Sequence, residues 1–190
     1  MKNLCEWCLG NELMKEYHNT EWGTPVHDDS KLFEFLVLDA FQAGLSWLTI
    51  LKKRENFRKA FDNFDYNKIA KYDEKKYDKL MNDAGIIRNK LKIKAAITNA
   101  MMFIDIQKEF GSFDKYIWQF VDSKTIHNRW KTMKEIPAKT AVSDLMSGDL
   151  KKRGFKFVGS TICYAFMQAA GLVNDHVVGC YRYKEVKKLK

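Results

Sequence analysis

Apolar residues recur along most of the chain at the three- and four-residue intervals that line up on one face of a helix. Leu32, Phe33, Phe35, Leu36 and Leu38 form the first such run. Asp28, Asp29 and Ser30 precede it as candidate N-caps, whose side-chain oxygens accept the free amides of a first helical turn. Gly44 interrupts the pattern, and Ser46 then offers a cap for a second helix carrying Trp47, Ile50, Leu51, Phe57 and Phe61. Asp73 starts a third helix, which Gly85 stops. The longest segment, 89–110, sets Ile93, Ala96, Ile97, Ala100, Met101 and Ile104 on helical spacing and closes at Gly111. Shorter helices are predicted over 113–121 and 141–152, and a last one from Ser160 to Ala170, with Gly171 as its stop. No stretch alternates as a half-buried sheet would. The pattern predicts an all-α fold with no repeat, linker or low-complexity tract, one unit over 1–190 that can divide into two helical lobes.

Composition supports this reading. Two prolines and ten glycines in 190 residues leave room for long helices, and hydrophobic residues at 46% suffice for a buried core. The charge adds a direction: 33 Lys and Arg against 24 Asp and Glu give +9 at pH 7, a balance that attracts phosphate backbones without selecting a sequence. The start, Met1-Lys2-Asn3-Leu4-Cys5-Glu6-Trp7, lacks the apolar run of a signal peptide, and no stretch reaches the roughly 18 to 20 apolar residues of a membrane span. A cytoplasmic protein is expected, with no membrane partner. Its four cysteines are then candidates for metal ligation or core packing rather than disulfides.

Three segments carry candidate chemistry. Cys5 and His18 near one end, with His176 and Cys180 near the other, offer the two thiolates and two imidazoles of a closed tetrahedral zinc site. The spacing of His176 and Cys180 suits one face of a helical turn. Cys8 offers an alternative ligand, since Cys5 and Cys8 are spaced as Cys-x-x-Cys, and spacing alone leaves four unrelated residues open as well; Cys163, inside an apolar helix, reads as core. Asp39 lies in the otherwise apolar segment Asp39-Ala40-Phe41-Gln42-Ala43-Gly44-Leu45-Ser46-Trp47. A buried carboxylate needs a partner there, either a structural hydrogen bond or a ligand. Trp7, Tyr17, Trp22 and Trp47 are either core or the faces that sandwich a nucleobase, a cationic one most strongly. Finally, Gly154 and Gly159 flank a turn before Ser160 and Thr161, a helix start whose free amides suit a phosphate.

These segments together resemble the DNA-3-methyladenine glycosylase I (Tag) family, a branch of the helix-hairpin-helix glycosylases. The matching blocks are Tyr17-His18-Asn19-Thr20-Glu21-Trp22-Gly23, Gln42-Ala43-Gly44-Leu45-Ser46-Trp47, Leu51-Lys52-Lys53-Arg54-Glu55-Asn56, Asp83-Ala84-Gly85-Ile86-Ile87-Arg88 and Leu150 to Gly159, continuing to Ala170-Gly171-Leu172-Val173-Asn174-Asp175-His176. The resemblance implies a helix-hairpin-helix fold with its hairpin near 150–171, and one structural zinc ion on Cys5, His18, His176 and Cys180, which sets Cys8 aside. It implies base-binding residues at Tyr17, Trp22 and Trp47, and a catalytic, base-contacting acid at Asp39. The family's acid is a glutamate, so Asp39 falls short by about 1.5 Å, one C–C bond. The resemblance also places DNA contacts at Lys152, Gly159, Ser160 and Thr161, joined by Leu45 as a wedge for the gap left by a flipped base, with a core role for Leu45 standing beside it.

Two further departures bear on chemistry. Phe157 replaces one of the superfamily's two hairpin glycines, and Thr161 stands where lyase-active relatives carry a lysine, so no Schiff base can form and a monofunctional glycosylase is expected. The superfamily's catalytic aspartate has no clear counterpart; its neighbourhood holds Asp175 and the zinc ligands. The implied reaction is excision of N3-methyladenine from double-stranded DNA, acting as a monomer and releasing free 3-methyladenine. Two rival readings stand: a non-catalytic binder of alkylated DNA, which a shortened acid suits, and a zinc-stapled helical module that binds DNA or RNA without a base pocket.

Overall fold

A computed structural model describes residues 3–189. Among them ten α-helices run in the order α1 (Glu12–Thr20), α2 (Asp29–Gln42), α3 (Trp47–Ala60), α4 (Tyr66–Ile69), α5 (Glu74–Asn82), α6 (Lys90–Phe110), α7 (Phe113–Trp118), α8 (Ala141–Lys152), α9 (Ser160–Ala169) and α10 (Tyr181–Val186). The all-α expectation holds, with one exception the sequence did not signal. Ile126–His127 and Val173–Asn174 form a two-residue parallel ladder, β1 and β2, too short to show alternation.

The caps act largely as read. Asp28 accepts the Lys31 amide at the start of α2, Ser46 the Thr49 amide of α3 and Asp73 the Lys76 amide of α5, while Gly111 closes α6 in the left-handed region at φ 86°. Asp29 does something else: both its carboxylate oxygens accept the first amides of α7, from Phe113 and Asp114, so one side chain ties α2 to a helix 84 residues on. The third predicted helix ends at Asn82, ahead of Gly85, and the helix predicted over 113–121 passes into a 3-10 turn after Trp118. The predicted pattern included no helix at α1, α4 or α10.

α2 is buried from Leu32 through Phe41 without a break, the profile of a helix wrapped on all sides. α3, α6, α7 and α9 pack around it, with Phe33, Phe41, Phe57, Phe103 and Phe113 filling the space between them. Arg54 and Lys92 enter this core with partners. Arg54 on α3, 7% exposed, donates to Glu34 on α2 at 2.6 Å and to both oxygens of Glu21, after α1, at 2.7 and 2.8 Å. Lys92, at the start of α6, donates to the Phe41 and Ala43 carbonyls at 2.9 and 2.6 Å and so satisfies the C-terminus of α2.

α8 and α9 lie against each other across a tight connection. Asn99 of α6 clamps it from both directions, donating to the Lys156 carbonyl and accepting the Lys156 amide. That clamp holds Phe157 at φ 55°, a left-handed conformation that costs a side chain roughly 1–2 kcal/mol. Gly171, after α9, has no alternative: a Cβ there would lie 2.4 Å from the Thr24 and Pro25 backbone.

Arg54 generates a direct test. Burial raises Glu34 and Glu21, but Arg54, joined by Lys31 at both and by Arg58 at Glu34, outweighs burial and holds both below the usual glutamate range. A carboxylate lowered in the folded state stabilises above its unfolded pKa, and that stability is lost as pH falls through the folded value. Lys31 and Arg58 still reach these glutamates in Arg54→Met, which should therefore lower the unfolding free energy at neutral pH by about 1.5–3 kcal/mol, the scale for a lost charged hydrogen bond. The difference from the parent should shrink below about pH 4 as both glutamates protonate. Chemical denaturation of both proteins across pH checks it; a pH-independent difference would contradict it.

Candidate base pocket and metal centre

The two ends of the chain meet in one buried cluster. One ligand atom each from Cys5, His18, His176 and Cys180 lies within 4.8 Å of all the others, and each residue is buried. The helical-turn reading of His176 and Cys180 is corrected here: the segment is a turn, closed by the Cys180 amide on the Val177 carbonyl, with Cys180 as the N-cap of α10. Cys8 stays outside, its thiol donating to the Cys5 carbonyl, and Cys163 is a buried residue of α9 bonded to the Val158 carbonyl.

The donor set fits a metal ion. His176 Nε2 donates to the Trp22 carbonyl at 2.9 Å, and His18 Nδ1 bonds Asn19 Oδ1 at 2.8 Å, so each ring turns its unprotonated nitrogen into the cluster. Those two nitrogens, His18 Nε2 and His176 Nδ1, stand 3.2 Å apart. Two facing lone pairs at that separation need a cation between them. The neighbouring Cys5 thiol lowers the Cys180 thiol, supplying one thiolate such an ion requires, while Cys180 and burial raise Cys5, and burial lowers His176, keeping it neutral. Gly23, at φ 76°, leaves room for this arrangement, since a Cβ there would press on the His176 ring at 3.2 Å.

The aromatic residues sit directly on the other side of these ligands. Tyr17 and His18 are neighbours on α1, so they point in different directions, one to each site. Trp7 meets Trp22 edge-on at 5.0 Å and His18 at 5.5 Å, while Tyr17 approaches Trp47 at 5.3 Å. Tyr17, Trp22, Trp47 and Asp39, four residues singled out from the sequence, line one cavity of about 210 Å³. Drug-sized ligands usually occupy roughly 300–1,000 Å³, so this space suits one compact ring system. Trp7, Gln42, Met133, Ile136 and Gln168 complete much of the wall, and among the described residues no lysine lines it.

Three buried polar atoms in this wall have no partner among the described residues: Asp39 Oδ2 and the indole nitrogens of Trp7 and Trp47. Burial pushes the Asp39 carboxyl well above the usual carboxylate range, with only the charge of Arg54 opposing. Buried polar groups in folded proteins are nearly always satisfied, so one acid and two donors left open around one cavity mark a ligand's place. Asp175 is different. It is fully buried, and its carboxylate accepts from Asn128, Trp130, Tyr164 and Gln168, which leaves it no free oxygen to act as a base.

The remaining predicted positions lie apart from the cavity. Leu45 is 40% exposed at the α2–α3 turn, which removes the core reading. Lys152 and Thr161 are exposed and Ser160 half-buried, with the Ser160 hydroxyl 2.8 Å from that of Ser143. Gly159 has an ordinary φ of −63° and open space where a Cβ would sit, so the fold itself does not require glycine there. Arg153 is already paired, donating to Asp149 and Glu109.

A mostly helical scaffold thus holds an aromatic slot with an unpaired acid beside a buried cluster competent for metal, the layout of a protein that takes up one small flat ring. The chain belongs to the methyladenine glycosylase family, whose profile matches residues 7–183. It is 50% identical over 179 residues to DNA-3-methyladenine glycosylase 1 of Escherichia coli K12, covering 94% of this chain and 96% of that one. A crystal structure of 3-methyladenine DNA glycosylase I (TAG) superposes with a TM-score of 0.92 at 46% identity, over 94% of this chain and 98% of that one. A tyrosine-to-phenylalanine variant of 3-methyladenine DNA glycosylase I, solved in complex with 3-methyladenine, gives 0.91 at 33% identity, over 94% and 96%.

Asp39 supplies the test of this site. A carboxyl raised in the folded state stabilises only while protonated, and that contribution is lost as pH rises through the folded pKa. Asp39→Asn removes the titration, so the variant should melt at a higher temperature than the parent, by a margin that widens as pH rises above about 4. Calorimetry across pH decides it; a variant less stable at every pH would make Asp39 a structural residue.

Proposed function

We propose that the protein is a monofunctional DNA glycosylase that hydrolyses the N-glycosidic bond of N3-methyladenine in alkylated double-stranded DNA, as the first step of base excision repair. The observation that carries this reading is the cavity with its unpartnered acid and donors among aromatic faces. The family and the complex of a relative with 3-methyladenine support it.

The chemistry follows from the substrate. N3-methylation leaves a formal positive charge on the base within DNA. As the bond between the base and C1′ breaks, the electron pair stays with the base, which departs neutral, and the charge passes to the sugar. Water adds to C1′ and loses a proton. The leaving group is activated before binding, so the protein supplies extrusion, orientation and charge complementarity rather than a strong acid. Tyr17, Trp22 and Trp47 hold the flipped base, and Asp39 faces its positive charge through a charge-assisted contact. Unmethylated adenine lacks that charge and departs poorly. Leu45 fills the vacated stack, while Lys152, Gly159, Ser160 and Thr161 grip the backbone at the start of α9, where Gly159 lets a phosphate approach closely. The net charge of +9 brings the protein to DNA. The lysine-free cavity supports the absence of a Schiff base and of strand cleavage.

Zinc is the ion proposed for Cys5, His18, His176 and Cys180, because two thiolates and two imidazoles in a closed buried set suit its structural sites. The reading also takes the chain as one 1–190 unit, monomeric and cytoplasmic.

Incubation with methylated DNA should release 3-methyladenine and little 7-methylguanine, without nicking the strand. Chromatography of released bases and a gel of the DNA check both parts. Tight binding to alkylated DNA with no base released would establish the non-catalytic reading instead.

A further inference from the structure

Gln168 was not legible in the sequence, and its environment fixes what it presents. It sits on α9 with Tyr164 one turn before it, and it lines the base cavity. Its Nε2 donates to Asp175 Oδ2 at 2.8 Å. The Tyr164 hydroxyl donates to the same oxygen at 2.6 Å, and Asn128 and Trp130 donate to the other at 2.6 and 2.8 Å. Four donors converge on its two buried oxygens, so the Gln168 side chain meets an acceptor there. Burial and Asp175 together raise the Tyr164 phenol, so it stays a donor. A reversed Gln168 amide would press its carbonyl against the carboxylate. The nitrogen is therefore committed to Asp175, and the side-chain carbonyl is turned away from it with no partner among the described residues.

We infer that the Gln168 side-chain carbonyl reads the 6-position of the bound purine, accepting from an amino group and repelling an oxo group, with Asp175 as the positioning residue that sets its orientation. The inference rests on the glycosylase reading above and deepens it. It assigns the choice of methylated adenine over methylated guanine or hypoxanthine to a neutral acceptor, beside the charge recognition given to Asp39. The pocket then offers acceptors at Asp39 and Gln168 and donors at the Trp7 and Trp47 indoles. An aminopurine edge, with its amino hydrogens flanked by bare ring nitrogens, needs both kinds. A site built to bond a polar group discriminates strongly against a ligand lacking it, because the protein's own group is left unpaired.

The test compares free 3-methyladenine with 3-methylhypoxanthine, its 6-oxo counterpart, by tryptophan fluorescence. The parent should prefer the amino base by about tenfold or more, the scale of one hydrogen bond gained against one lost. Gln168→Met removes the carbonyl at nearly constant length. It should shrink that preference by about tenfold, weakening the amino base while binding the oxo base no worse than the parent. A merely structural role would weaken both alike. Each affinity comes from a ligand titration, so a partly folded preparation leaves the ratio intact. Should the methionine variant be insoluble, Gln168→Asn withdraws the same carbonyl and should give the same narrowing. An unchanged preference, or an equal loss for both bases, overturns the inference. Failure of the parent to bind any N3-methylated purine would instead refute the glycosylase reading itself.

Discussion

The rest of the molecule is organised around the meeting of its two chain ends. Cys5 and His176, 171 residues apart, stand 3.7 Å from each other at sulfur and nitrogen, with His18 and Cys180 beside them. No local interaction explains such a contact, since closing so long a loop is entropically unfavourable unless something strong rewards it. An ion shared by the four proposed ligands would do so, and would do more than join the ends. His18 is the neighbour of Tyr17, and His176 holds the Trp22 carbonyl through its second ring nitrogen. When an ion occupies the first nitrogen of His176, the proton must reside on the second, which secures that bond. The cluster thus lies behind the base cavity, with His18 and His176 packed edge-on against Trp7 and Trp22, two residues that line it.

The cavity is built in the opposite spirit. Where Arg54 satisfies Glu21 and Glu34, and Asp175 gathers four donors, Asp39 and two indoles are left open. Stability is surrendered around that cavity, and the cationic base proposed for it would restore what is missing. The two kinds of buried charge lie close together, so the same Arg54 that completes the core also tempers the acid in the pocket. Such concentration of unsatisfied groups is the expected signature of a binding site in an otherwise consistent fold.

Much of this was legible in the sequence. Asp28, Ser46, Asp73 and Gly111 announced helix ends because capping is a local interaction between residues a few positions apart. The long helix of 89–110 showed its period because one face is core throughout. Spacing alone left the metal set open, and the resemblance chose Cys5 over Cys8. Asp39 stood out as a carboxylate in an apolar run, although its lack of any partner is a fact of three dimensions. Gln168 left no trace, because an amide in a helix does not reveal which of its ends is occupied. Met133 and Ile136 reach the cavity from a segment without period, and Lys92 caps a helix that lies 49 residues away, at Ala43. Long-range polar contacts have no sequence spacing to betray them.

The central claim is that the joined chain ends and the base pocket form one structural unit. It is tested most directly by removing the metal from the purified protein with a chelator and following two signals together. The account predicts that the melting temperature falls and the tryptophan response to 3-methyladenine disappears in step, and that added zinc restores both. Metal-free protein that keeps its melting temperature and binds 3-methyladenine with undiminished affinity would contradict it.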